Sequence, residues 1–182
     1  MPFYVYGEDK PDVLAGLIEN GEAHWSYMDR FVDRLVLRGP TLSPDREDHT
    51  GSVHVVEVDS RAEAERFAHE EPYWSAGFYH PLTVVRAEVL ADRQADVPKT
   101  LVTGHWSPAA AVDLESPDSR LSFVARLVED DGSRSVGIVA AVSALPDEAL
   151  TIVRPVADQW SGGPAALTAR RWQRGGRSQS AS

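Results

Sequence analysis

The chain has 182 residues, 42% of them hydrophobic, with 28 acidic against 18 basic side chains and a formal charge of -10. That supplies a core without staples, for one ordinary domain or two small ones. The absence of cysteine excludes disulfides, thiolate metal sites and cysteine nucleophiles, and the acidic balance works against nucleic acid.

Pro2 to Gly7 is β-branched and aromatic and predicts a strand. From Asp12 to Leu37 apolar residues recur at helical spacing (Leu14, Leu17, Ile18, Trp25, Met28, Phe31, Val32, Leu35). Asn20-Gly21 is expected to interrupt this helix, and Gly39-Pro40 to stop it. Thr41 to Thr50 reads as a charged loop and Ser52 to Asp59 as a strand. Ser60 with Glu63 forms a capping box for a helix to about Glu70. Glu71-Pro72 breaks that helix, because proline disfavours a helical conformation in the residue before it. Leu82 to Leu90 is a further strand, and Ala91 to Pro98 reads as a linker.

The second half echoes the first in order. Gly7, Pro11 and Leu17 return as Gly104, Pro108 and Leu114. Phe31-Val32-x-Arg34-Leu35-Val36 returns as Phe123-Val124-x-Arg126-Leu127-Val128. Ser52-Val53, Glu63-Ala64, Trp74-Ser75 and Leu82-Thr83 return as Ser135-Val136, Glu148-Ala149, Trp160-Ser161 and Leu167-Thr168. On that basis 120–129 is read as the copy of the first helix, entered at Ser116-Pro117, over the competing strand that would turn at Asp131-Gly132. Modules are expected at residues 1–92 and 98–174. The arginines at 170, 171, 174 and 177 form a basic tail, solvated or docking a partner, with 175–182 disordered.

The expected fold is α+β. Each module is a ferredoxin-like unit with a four-stranded antiparallel sheet and its helices on one face. The two open sheet faces must be covered. Laying them together gives an intramolecular pseudo-dimeric α/β barrel, with cavities between sheet and helices. The chain is then a monomeric pseudo-dimer or a homodimer. The start MPFYVYGEDKPD lacks the basic-then-apolar order of a secretion signal, and no run nears the roughly 18 apolar residues of a membrane span. A cytoplasmic protein with neither membrane nor nucleic-acid partner is expected.

The opening FYVYGEDKPD, the helix-borne His24, Gly39-Pro40, Gly51-Ser52 and above all AEAERFAHEEPYWSAGFY resemble the YCII-related family of the dimeric α/β-barrel superfamily. The resemblance covers residues 1–92, and the second half shares it only through the repeat. It implies a histidine paired with an acid in a pocket, and cofactor-free elimination chemistry on small ring compounds, such as dehydrochlorination. His24 matches the family histidine. The acid of the family's Asp-Pro-Tyr is Glu71 here, one methylene longer.

A neutral imidazole titrates near pH ~6.5 and can move a proton at neutral pH. His24 therefore reads as a base or, alternatively, as a satisfied core histidine. Glu71 could orient it, or merely end a helix. Tyr73 and Trp74 are pocket wall or core. Tyr6, Asp9 and Ser52 lie at strand ends that could line the same mouth. The other histidines lack ligand spacing, and there is no phosphate loop or nucleophile elbow, so neither metal nor cofactor is expected. In the second half His105 falls opposite Glu8, and the position equivalent to His24 falls near Ser116, so the base is expected only once. The residues lead to a cofactor-free enzyme acting on a small cyclic or aromatic molecule by elimination, dehydration or isomerisation. The alternatives are a non-catalytic binding or scaffold protein and a cofactor-independent oxygenase.

Overall fold

In the computed structural model, which describes residues 1–94, 97–113 and 117–176, period-two alternation in the first strand already sorts inside from outside. In β1 (Pro2–Glu8) Phe3 and Val5 face the helices, while Tyr4 points into a second cluster on the opposite face. Helix α1 (Leu14–Asp29) follows and runs unbroken through Asn20-Gly21. Within it Asn20 Nδ2 donates to the Gly16 carbonyl at 2.9 Å, so the side chain bonds inside the helix instead of turning the chain, and Gly21 is buried on the helix face beneath Tyr73. The interruption expected there does not occur, and the helix ends eight residues earlier than its apolar spacing suggests. Leu14, Ile18, Trp25 and Val32, read as core from that spacing, are exposed.

The stretch expected to finish that helix is instead β2 (Leu35–Leu42). Here Leu37, Gly39 and Thr41 are buried in strict alternation, so Gly39-Pro40 lies within a strand rather than stopping a helix. The expected loop 41–50 shrinks accordingly, since β3 (His49–Glu57) begins at its far end. Helix α2 (Arg61–His69) starts as predicted: the Ser60 side chain accepts from Glu63 N, while Glu63 reaches back to Asp59 N at 3.0 Å. A single turn, α3 (Pro72–Ser75), leads to β4 (Thr83–Asp92), which extends into the expected linker.

The second half comprises β5 (Thr100–Ala110), β6 (Leu121–Val128), β7 (Arg134–Val142), α4 (Pro146–Ser161) and β8 (Leu167–Trp172). The segment taken for a second copy of the first helix is β6, paired to β7 through the turn at Gly132, whose φ is +77°. Every residue of β6 is buried. A strand covered on both faces loses its alternation and cannot be told from a buried helix by periodicity. No helix stands between β5 and β6 among the described residues; Leu114 and Ser116 lie outside them.

The strands close into one barrel in the order β1-β3-β2-β8-β5-β7-β6-β4. Each half contributes four antiparallel strands in the same internal order, its fourth beside its first, then its third, then its second. Tyr4 and Leu37 both pair with Val55, and Leu101 and Phe123 both pair with Ala141. By that register Phe123 stands where Leu37 stands, so the Phe-Val-x-Arg-Leu-Val match joins residues at different places in the fold. Closure removes every free edge. The inner faces of both halves fill the barrel with Tyr4, Leu37, Val55, Leu101, Phe123 and Trp172. Helices α1 and α2 cover one half from outside and α4 the other. The arginines at 170 and 171 are strand residues and Arg174 pairs with Asp92 at 3.5 Å, so the basic tail begins later than expected. Arg177 and the rest of the tail lie outside the described residues. No described helix is long and apolar enough to cross a membrane.

After β8 the chain folds back over β2, where Gly175 N donates to the Arg38 carbonyl at 2.8 Å. This close approach explains Gly39, since a Cβ there would lie 2.0 Å from the Gln173 carbonyl oxygen. The C-terminal segment thereby forms one wall of the hollow described next.

Candidate active site

His24 lies on α1, on the face turned toward the sheet, and is bonded at Nδ1 to Glu71 Oε1 at 2.5 Å. The two side chains are 12% and 5% exposed, so the contact is made largely out of water. A carboxylate only accepts hydrogen bonds, so Nδ1 carries the proton and Nε2 is the free atom of the ring. Glu71 is also the N-cap of α3: its Oε2 accepts from Trp74 N at 3.0 Å. Pro72 drives this arrangement by holding Glu71 extended (φ -65°, ψ 131°) and starting the turn immediately after it. The longer glutamate arm thus reaches the imidazole with one oxygen while capping a helix with the other.

Tyr73, on the same turn, stacks flat on the His24 ring, with centroids 4.3 Å apart and planes 2° from parallel. Its hydroxyl donates to the Leu17 carbonyl at 3.0 Å. Burial pushes the phenol up to about 12, so it stays neutral and serves as a rigid wall. The imidazole is thereby fixed by a bond at one edge and a ring on one face, leaving Nε2 to meet a ligand.

The hollow beside it measures about 180 Å³ and is lined by His24, Arg38, His49, Ser52, His54 and Tyr73, with Gly175-Gly176 closing one side. It lies between α1 and the sheet, outside the filled barrel. Of the side chains singled out from the sequence, His24, Ser52 and Tyr73 line it. Glu71 stands behind His24, and Asp9 stands behind His49, 2.6 Å from its Nδ1. Two do not join them. Tyr6 has the opposite strand phase and lines a separate hollow with Tyr4 and Arg170. The Trp74 ring packs on His69 at 5.3 Å, and only the Trp74 backbone serves the site.

His49, His54 and Arg38 were not anticipated. The signal for His54 was present: Ser52 and His54 alternate with Val53 and Val55, placing polar groups on the face that carries Val56 and Phe3 under the helices. His49 falls within the expected loop 41–50 because β3 begins three residues before the expected strand at Ser52. Among the described residues no cluster of three or more potential ligands could hold a metal ion.

His54 is buried, and its pKa lies well below 6.5, first through desolvation, then through repulsion from His24 whenever that ring is protonated and from the Arg38 guanidinium. In the unfolded chain it takes up a proton near pH ~6.5 that the folded chain refuses. Stability is therefore full above that pH and falls as pH drops below it, by up to about 1.4 kcal/mol per pH unit for this group. Urea unfolding at pH values on either side of this point should show the acid-side loss. The variant H54L should lose about that much less across the same range. An identical pH slope in both proteins would show that His54 does not cause it.

Residues 1–88 match the family model of the YCII-related domain. Protein YciI of Escherichia coli O6:H1 is 31% identical over 91 residues, 46% of this chain and 93% of its own. The 5-chloro-2-hydroxyhydroquinone dehydrochlorinase of Burkholderia phenoliruptrix, solved with 2,5-dihydroxybenzoquinone, is 32% identical and covers 47% of this chain and 92% of its own, with a TM-score of 0.45. A candidate monooxygenase from Lactobacillus acidophilus aligns over 95% of this chain and 93% of its own at 11% identity, with a TM-score of 0.53. That alignment identifies the fold of nearly the whole chain as a dimeric α/β barrel built within one polypeptide.

Proposed function

Since the chain belongs to the YCII-related family through its N-terminal half, we propose that it is a cofactor-free enzyme in which His24 moves a proton on a small ring compound. The observation that carries this reading is the buried His24–Glu71 bond of 2.5 Å, aimed at a hollow of about 180 Å³. Glu71 fixes the tautomer, so Nε2 presents a lone pair, and it stabilises the imidazolium formed when that atom takes a proton. A mostly water-excluded site strengthens both effects. Elimination, dehydration and isomerisation each begin with such a proton abstraction.

A separate hollow of about 260 Å³ opens beside Tyr4, Tyr6 and His105, but among the described residues no imidazole there is bonded to a carboxylate, whereas His24 and Glu71 are, which supports placing the chemistry on the helix side of the first sheet. The second half completes the barrel, and its C-terminal segment supplies Gly175 and Gly176 to the hollow. The same reading takes residues 1–92 and 98–174 as diverged copies of one module, supported by their common strand order.

The test is turnover of a panel of halogenated and hydroxylated ring compounds by the purified protein without added cofactor. Wild type should convert at least one class, and H24Q should not. Equal turnover by both proteins would remove His24 from the chemistry.

A further inference from the structure

The hollow holds a second imidazole backed by an acid. His49 opens β3, and its Nδ1 donates to Asp9 Oδ2 at 2.6 Å. The Asp9 side chain is 7% exposed and its other oxygen is buried without a hydrogen-bond partner. A deeply placed carboxylate that contacts a neutral ring, and among the described residues forms no ion pair with Arg or Lys, is costly unless the ring becomes charged at some stage. On the far side, His49 Nε2 lies 3.4 Å from Ser52 Oγ, which already accepts from the Tyr79 hydroxyl at 2.8 Å. A hydroxyl has one proton to give, so Ser52 turns its own toward Nε2. Asp9, His49, Ser52 and Tyr79 thus form a continuous line of hydrogen bonds whose middle members, His49 and Ser52, line the hollow. Tyr73 separates the two imidazoles, stacked on His24 and meeting His49 edge-on with centroids 6.4 Å apart. The remaining charged or titratable groups facing this space are Arg38 and His54; among the described residues no carboxylate lines it.

We propose that His49, keyed by Asp9, is a second acid–base residue of this hollow, which therefore takes small ring acids with two neighbouring ionisable oxygens and moves two protons. This rests on the reading of His24 given above. In an elimination, His49 Nε2, neutral at rest, first takes the proton of one ring oxygen as the Ser52 hydroxyl turns aside; His24 Nε2 then takes the proton from carbon and the C–H electron pair becomes the new π bond. The bond to the leaving group breaks, and that group leaves with the proton from His49 Nε2. The proton on His24 then returns to the ring oxygen, which leaves both imidazoles neutral again, and the net product is the acid of the leaving group.

The experiment uses 4-nitrocatechol, whose visible spectrum distinguishes its neutral, monoanionic and dianionic forms. Wild-type protein at neutral pH should bind it as the dianion, one proton passing to each imidazole. H49Q should hold it as the monoanion, with affinity lowered about tenfold or more, the scale of a lost charge-assisted hydrogen bond. In H49N the amide can still donate to Asp9 but offers no base, and it should behave like H49Q. If His49 only anchors Asp9, H49N will match wild type, and the inference falls. A dianion lost in H24Q but kept in H49Q and H49N overturns the second base and leaves the first standing. A dianion kept in all three variants removes both. Failure of the wild-type protein to bind the probe at millimolar concentration overturns the ligand class.

Discussion

E71Q is expected to lower turnover by about 10²–10⁴-fold, although it removes no more than a charge. Two donors, His24 Nδ1–H and Trp74 N–H, converge on the two oxygens of Glu71 at 2.5 and 3.0 Å. Glutamine keeps one oxygen and replaces the other by an amide that only donates. If that oxygen caps α3, the amide faces His24 and forces Nδ1 to accept, so Nε2 carries the proton and can no longer act as a base. If the oxygen turns to His24, the backbone of α3 loses its cap, at about 0.5–2 kcal/mol, and the Tyr73 wall loosens with it. The loss of turnover should therefore come with little or modest loss of unfolding free energy. Turnover by E71Q within threefold of wild type would show that the tautomer is not what this carboxylate controls.

His24 and Glu71 were legible because each sits in a short local motif. A helix-borne histidine and a Glu-Pro-Tyr turn survive being read one segment at a time, and the fold need only bring them together. Although its partner Asp9 stands among the strand-end candidates, His49 was harder because its meaning depends on register. It looks like a loop residue until β3 is known to start there, opposite the end of β2. Tyr6 fails for the complementary reason. It lies on β1 close to Asp9 in sequence, yet strand phase sends its ring to the other face, away from His24.

The α+β pseudo-dimeric barrel was foreseen from the repeat, whereas several of its elements were not. The errors share one cause. Leu35 to Leu37 continues the helical spacing of α1 although it opens a strand, and Leu121 to Val128 has a spacing that suits a helix as well as a strand covered on both faces. The barrel itself creates that double cover, with packed side chains inside and helices outside, so the deciding information is tertiary. The repeat matches Phe31–Val36 to Phe123–Val128 in sequence, although register puts Phe123 level with Leu37.

W172A is expected to be the most destabilising of the changes considered, at about 3–5 kcal/mol. The barrel closes across two seams of unequal strength. At the β4–β6 seam six residue pairs are in register, from Arg86 with Val128 to Asp92 with Phe123. At the β2–β8 seam there are two, Thr41 with Trp172 and Leu42 with Arg171. So short a ladder cannot hold the halves together through backbone bonds alone, and side-chain packing has to do it. Trp172 is 1% exposed and fills the barrel interior beside residues of both halves. Its indole N–H is buried without a partner, a penalty of about 1–3 kcal/mol that its packing must outweigh. W172F, which removes that N–H and keeps most of the volume, should lose less than half of what alanine loses. The same segment continues into Gly175 and Gly176, which wall the hollow, so W172A should also weaken 4-nitrocatechol binding while W172F spares it. Chemical denaturation of the three proteins decides the point. If alanine and phenylalanine cost the same, the seam is held by something other than the indole's volume.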